Sequence, residues 1–437
     1  MRRLAILTML VLPAAGVLGA DTVLGKAIAR DYDTRLWPLY EHLHRNPELS
    51  FMEVNTAARM AQELREAGFE VTEKVGGTGV VALLRNGNGP TVMVRADMDG
   101  LPVEEKSGLP YASKVVQKDQ GGREVPVTHS CGHDVHMTSL VGTARQMIAR
   151  RGDWKGTLML IAQPAEERVG GANAMMAEQL WKRFGQPDYA LALHVTSGME
   201  AGKIEVDDAP YSGVDTVEIT VHGVGTHGAY PHDGKDPVVL GAAIVMGLQT
   251  VVARDLAPRE PGLITVGSFH AGTKSNIISD KAKLELTVRS ESPATRKLLL
   301  DGITRVAHNT ARAHGMAEDL LPEVKQVDTP TKPVVNDPKL QARLKAVWAQ
   351  KLAPGVLIPA EKRSGMGAED FGSFTTNPYI PSVYFTLGGT PAHELEAARL
   401  GGAPVAGNHS PLFKVDPQSI KAGVEATTVA LLDLMKK

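Results

Sequence analysis

Thr128-His129-Ser130-Cys131-Gly132-His133-Asp134-Val135-His136-Met137-Thr138 holds the only cysteine of the chain and three of its fourteen histidines. Cys131 and His133 lie two positions apart, a spacing that on an extended backbone aims both side chains the same way. A thiolate and an imidazole directed at one point begin a transition-metal site. A buried thiol beside hydrogen-bonded histidines would look the same in so short a motif. The surrounding chain decides between the two.

Strands and helices alternate on both sides of that stretch. Residues 91–96, Thr-Val-Met-Val-Arg-Ala, read as a buried strand that runs into Asp97 and Asp99. Residues 157–162 read as a second strand, ending in Gln163-Pro164-Ala165-Glu166-Glu167, and residues 189–193 as a third, ending in His194. Strands are also expected at 70–72, 79–84 and 383–387. Apolar residues at helical spacing predict helices over 24–43, 52–67, 139–150, 175–184, 339–351 and 419–435. Such alternation builds an open α/β sheet with helices on its faces. Polar groups at the ends of its strands collect at one carboxyl edge.

The pattern changes near Asp207. Residues 214–221 alternate, the glycine-rich turn Gly223-Val224-Gly225-Thr226-His227-Gly228 follows, and helices are expected at 238–256 and 293–314, with strands at 263–270 and 283–289 between them. Strand-helix-strand-strand-helix describes a two-layer α+β unit of ferredoxin-like type. The expected fold is therefore a mixed-sheet α/β catalytic domain, residues 21–207 and 322–437, interrupted by a lid domain at 208–321. A length of 437 residues accommodates such a division.

Composition narrows the function classes. The formal net charge of −2 leaves no basic footprint for nucleic acid, and one cysteine excludes an intramolecular disulfide. Residues 1–20 place Arg2 and Arg3 before a short apolar run and finish in small residues, the order of a secretory signal. Export, most simply to a periplasm, is expected, with no stable membrane anchor, since no later stretch reads as a membrane helix.

The predicted rim carries Cys131, His133, Glu167, His194 and His409, with Glu166 spare. Five protein donors exceed what one tetrahedral catalytic ion uses together with a water. They suit two divalent ions about 3.5–4 Å apart. Thiolate and imidazole favour zinc or nickel, and the carboxylates leave manganese open. Of the two adjacent glutamates, one can coordinate while the other handles protons.

Five segments resemble the M20 metallopeptidase family in its aminoacylase/amidohydrolase branch, which includes hippurate and auxin-conjugate hydrolases. They are Leu43-His44-Arg45-Asn46-Pro47-Glu48-Leu49-Ser50, Arg95-Ala96-Asp97-Met98-Asp99-Gly100-Leu101-Pro102, Cys131-Gly132-His133-Asp134-Val135-His136, Gln163-Pro164-Ala165-Glu166-Glu167 and residues 365–371. The resemblance implies a dinuclear catalytic domain, a lid that often forms a homodimer, and metal-assisted hydrolysis of the amide of an N-acyl amino acid or small peptide. By position it implies Cys131, His133, Glu167, His194 and His409 as ligands and Glu166 as general base. His227 would polarise the scissile carbonyl, and Asn276 and Arg289 would lie near the substrate, the arginine on a carboxylate. Arg95 stands where many family members carry a histidine ligand. Asp97 is then expected to fix a ligating imidazole, His133 to replace the missing ligand, and Cys131 to bridge the ions. His136, one helical turn beyond His133, is expected to pack or hydrogen-bond.

Overall fold

The computed structural model describes residues 22–437 except 328, 362 and 364. The expected signal segment, residues 1–20, lies outside the described residues. A seven-stranded mixed sheet forms the larger domain, in the order Glu70–Val75, Gly79–Asn86, Gly156–Gln163, Thr91–Asp97, Tyr189–Glu200, Ser382–Thr390, Ile204–Glu205. The Gly156–Gln163, Thr91–Asp97, Tyr189–Glu200 and Ser382–Thr390 strands run parallel to one another, and the outer pairings are antiparallel. These central strands are apolar on both faces because helices cover both sides. Their shared carboxyl edge carries Asp97, Gln163 and the residues that follow them.

Helix His133–Ala149 lies against one face of this sheet and is buried almost all round. The closing helix Ser419–Leu434 covers it, and so does the N-terminal helical run. Contact is close enough that a Cβ on Gly142 would sit 2.5 Å from Cγ2 of Val424. The N-terminal run continues through residues 23–45 with a π turn at Tyr32–Leu36. Pro38 explains the irregularity, because it has no N–H for the helical ladder.

The inserted domain has a four-stranded antiparallel sheet in the order Gly262–Ala271, Lys281–Ser290, Gly213–His222, Glu323–Gln326. Helices Pro237–Thr250 and Pro293–Ala313 pack on one face around Ile219, Ile244, Leu284, Leu286 and Ile303. This is the ferredoxin-like order, and its last strand lies beyond residue 321, where the sequence pattern places the return to the catalytic domain. Along Lys281–Ser290 burial alternates, so Leu286 and Val288 enter the lid core while Thr287 and Arg289 point from the other face. Register pairs Thr287 with Thr216 and Arg289 with Val214, which makes a polar patch on that face.

Several sequence expectations need correction. Residues 175–184 form two short helices, because Gln179 adopts a left-handed backbone between them. The strand at Tyr189 continues through His194 to Glu200. Residues 237–255 are long and apolar enough by composition to cross a membrane, contrary to the sequence expectation, yet they bury Leu240, Ile244, Leu248 and Val251 against the lid sheet. That packing makes them a lid helix.

Candidate metal centre

The Cys131-Gly132-His133 triplet does not run extended. Gly132 has φ +86° and helix His133–Ala149 begins immediately after it. The thiol and imidazole converge because the chain turns sharply into the helix. A Cβ at position 132 would lie 2.3 Å from Cγ1 of Val195, so the turn against the neighbouring strand admits only glycine.

Cys131 Sγ is 3.4 Å from Nε2 of His194 and 3.2 Å from Nε2 of His409. His409 in turn lies 3.5 Å from Oε2 of Glu167. Nε2 of His133 is 3.8 Å from Oε2 of Glu166 and 3.8 Å from Oε1 of Glu167. Donor atoms thus form overlapping groups: Cys131, His133 and His194; Cys131, Glu167 and His409; His133, Glu166 and Glu167. All five ligand candidates and Glu166 are brought together from residues 131 to 409.

Each imidazole is oriented by its other nitrogen or by its backbone. Nδ1 of His133 donates to the carbonyl of Asp99 at 2.8 Å, and Nδ1 of His194 donates to that of Val195 at 2.8 Å. Both leave Nε2 with a lone pair facing the cluster. His409 has φ +69°, and its backbone N–H donates to the carbonyl of Ser130 at 2.7 Å. Asn408 fixes this loop by donating from Nδ2 to the carbonyls of Cys131 and Val195.

The glutamates sit on a 3-10 turn, Glu166–Arg168, bracketed by left-handed Ala165 and Val169. Left-handed backbone at a β-branched residue is rare, and such outliers gather at functional sites. Asp99 holds the turn: its carboxylate accepts from the backbone N–H of Glu166 at 3.1 Å and of Glu167 at 3.0 Å. Ser50 donates to the same carboxylate at 2.6 Å.

The sequence reading places Asp97 on a ligating imidazole. It hydrogen-bonds His136 instead, at 2.6 Å from Nδ1, and is 3.8 Å from Nε2 of His133. Nε2 of His136 accepts from the N–H of Val195 at 2.9 Å, so both nitrogens of that ring are engaged. The buried Arg95 spans Asp97 at 2.6 Å and Glu369 at 2.8 and 3.1 Å, and Tyr384 donates to Glu369 at 2.7 Å. Burial works against the Asp97 carboxylate, but Arg95, His133 and His136 outweigh it and hold its pKa well below the usual range.

The donor set fits cations. Nε2 of His133 and Oε1 of Glu167 are buried without a hydrogen-bond partner. Burial, then the Glu369 and Glu167 carboxylates, push Glu166 well above the usual carboxylate range. Burial also lifts Glu167 to about 7 and, with Glu167 next, raises the Cys131 thiol. Separations of 3.8 Å are too long for hydrogen bonds. They match roughly the spacing of two donors that share one ion with about 2.0–2.3 Å bonds.

The cluster forms the floor of a cavity of about 880 Å³ between the two domains. Arg289, Thr287 and Thr216 of the lid also line it, as do Tyr211 and Arg168 of the glutamate turn. His227 and Asn276 do not line it. They lie at a two-stranded ribbon of the lid, Thr226–His227 paired with Ile277–Ile278, where the N–H of Gly228 donates to the carbonyl of Asn276 at 2.8 Å, and His227 is exposed. Asp99, Asn408, Arg168 and Tyr211 carry no role in the sequence reading. Asp99 alone had a signal, its place two residues after the strand-end Asp97.

A split α/β domain whose rim gathers a thiol, three imidazoles and a carboxylate beside a spare glutamate has the make-up of a metal-dependent hydrolase. The model of peptidase family M20/M25/M40 matches residues 93–431, and the chain belongs to that family. Thermostable carboxypeptidase 2 of Saccharolobus solfataricus is 33% identical over 90% of this chain and 94% of its own. Hippurate hydrolase of Campylobacter jejuni is 35% identical over 76% of this chain and 82% of its own. The crystal structure of the Bacillus subtilis YXEP protein, a dinuclear metal binding peptidase of the M20 family, superimposes with a TM-score of 0.75 at 27% identity, covering 93% of this chain and 99% of that one. The protein is a hydrolase of amide bonds.

Proposed function

We propose that the protein is an exported amidohydrolase that holds two divalent ions and cleaves the amide of N-acyl amino acids. One observation carries this reading: Cys131 Sγ belongs to two donor groups, one with His133 and His194 and one with Glu167 and His409, while Glu166 remains beside them. Cys131, as a member of both groups, would help to hold both ions. Two ions held there would lower the pKa of a water and polarise a carbonyl.

Glu166 accepts the proton from the attacking water and returns it to the leaving nitrogen, so that one carboxyl group serves as base and then acid. Arg289 faces the floor from the lid and pairs with the substrate carboxylate. Asp97 acts through His136 and Arg95 to keep the rim rigid. His227, with Asn276, supplies a donor to the developing oxyanion when lid movement or a second copy of the chain carries it to the cavity. Val239, Met246 and Phe269 lie exposed on the lid helix and its edge strand, which supports a homodimer through that face. The basic, apolar and small-residue order of residues 1–20 supports export.

Ion-loaded protein incubated with matched acyl amino acids and dipeptides tests the reading. N-acetyl and N-benzoyl amino acids are expected to turn over faster than dipeptides. Faster release from dipeptides or longer peptides would favour a dipeptidase or carboxypeptidase, the activity named for the Saccharolobus relative. Binding of ions and substrates without turnover would mark a metal- or peptide-binding protein.

A further inference from the structure

Two guanidinium groups line the cavity, Arg289 from the lid and Arg168 from the turn that carries Glu166 and Glu167. Neither has a carboxylate partner among the described residues. Arg289 is half-buried, its Nε donates to Oγ1 of Thr287 at 3.2 Å, and burial alone lowers its pKa. Arg168 is exposed to the cavity and makes no side-chain hydrogen bond to a described residue. The remaining charged groups are committed. Glu166 and Glu167 belong to the ion cluster, and Glu369 is answered by Arg95.

Two divalent ions would add four positive charges to a floor where Arg95 already answers Asp97 and Glu369, which leaves Arg168 and Arg289 free to pair with substrate. A simple N-acyl amino acid brings one carboxylate, which Arg289 satisfies. Arg168 then faces the same bound molecule with its donors unused. Arginine forks recognise carboxylates bidentately.

We propose that Arg168 is a specificity-determining residue that selects substrates bearing two carboxylates. This rests on the amidohydrolase reading above and names the substrate class within it. A second carboxylate can lie on the amino-acid side, as in an N-acyl glutamate or aspartate, or on the acyl side, as in an N-succinyl amino acid. Arg168 follows Glu167 directly in the chain and lines the same cavity as the donor cluster.

The experiment compares kcat/KM for N-acetylglutamate with N-acetylglutamine, and for N-succinyl-leucine with N-acetyl-leucine, in ion-loaded wild type, Arg168→Met and Arg168→Lys. At least a tenfold preference for the charged member of one pair is expected in wild type. Which pair shows it identifies the source of the second carboxylate. Arg168→Met should reduce that ratio to near one, and Arg168→Lys should keep part of it. Calorimetry on the same proteins should show glutarate binding more tightly than butyrate in wild type and equally in Arg168→Met, a readout independent of turnover. No preference in either wild-type pair, or a preference that survives Arg168→Met, overturns the proposal. Failure of all four compounds while dipeptides are cleaved overturns the amidohydrolase reading and this inference with it.

Discussion

The rim and the lid turn present catalytic candidates in opposite ways. On the rim, Cys131, His133, His194 and His409 are each fixed by a second contact, and Asp99 holds the glutamate turn through two backbone N–H groups. In the lid turn, His227 is exposed, and the hydrogen bond its ring makes is an acceptance at Nδ1 from the N–H of Ala229 two residues on, at 3.0 Å. Groups that hold ions must be placed before the ions arrive. A group that meets only the transition state can be delivered late. The difference separates assembly of the centre from its completion.

The strongest break of this comparison is Glu166→Gln. It should lower kcat by about 100- to 10,000-fold, the usual range for a proton-transferring group. Metal analysis should still find two ions. Loss of the ions along with activity would make Glu166 a ligand and merge the two roles.

His227→Ala follows, with an expected loss of about 100-fold or more in kcat, as for removal of one oxyanion donor. Ion content and melting temperature should not change. An unchanged kcat would leave oxyanion stabilisation to the rim and lid wall alone.

A third test addresses the rigidity of the rim. His44 hydrogen-bonds Asp134 at 2.6 Å and Glu105 at 3.1 Å, which ties the N-terminal helix to the first turn of the Cys-Gly-His helix. Burial alone would lower its pKa, but these two carboxylates raise it from 6.5 to about 9. Because the folded value is the higher one, the stabilisation is complete below pH 6.5 and fades as pH rises through about 9. At its fullest it is on the order of 3 kcal/mol. Urea unfolding of His44→Gln should show a flatter stability profile between those limits. An identical slope would place the pH dependence elsewhere.

The mildest change is Met246→Glu on the exposed lid helix. It should shift the proposed homodimer towards monomer in light scattering, by about 1.5–3 kcal/mol if the side chain is buried there. The rim geometry should stay intact. No change in mass at any concentration would remove this face from the assembly.

Much of the fold and of the rim is legible in sequence because buried parallel strands are long apolar runs with abrupt polar ends. The strands ahead of Asp97 and Glu166 have that form. What stays hidden is local backbone. Periodicity does not reveal that Gly132 turns left-handed or that helix His133–Ala149 starts at the imidazole, so an extended backbone is the wrong reason for the convergence of Cys131 and His133. Their donors meet regardless, because the strand carrying Val195 and the sheet fix where the turn must go. Asp97 misleads in the same way, since sequence spacing cannot tell His133 from His136 once a helix brings both over the same strand end. The strand Glu323–Gln326 is only four residues long and mostly exposed, so it leaves almost no apolar alternation to detect.

Gly132 offers no side-chain donor, charge or ring, and yet a methyl group there would strike Val195 at 2.3 Å. Random mutagenesis of this enzyme should therefore recover inactive variants at a position with no reactive atom, as surely as at the candidate ligands beside it. Attempts to redesign the centre for other ions have freedom in the side chains that face the cluster. They have none in the bend that presents them.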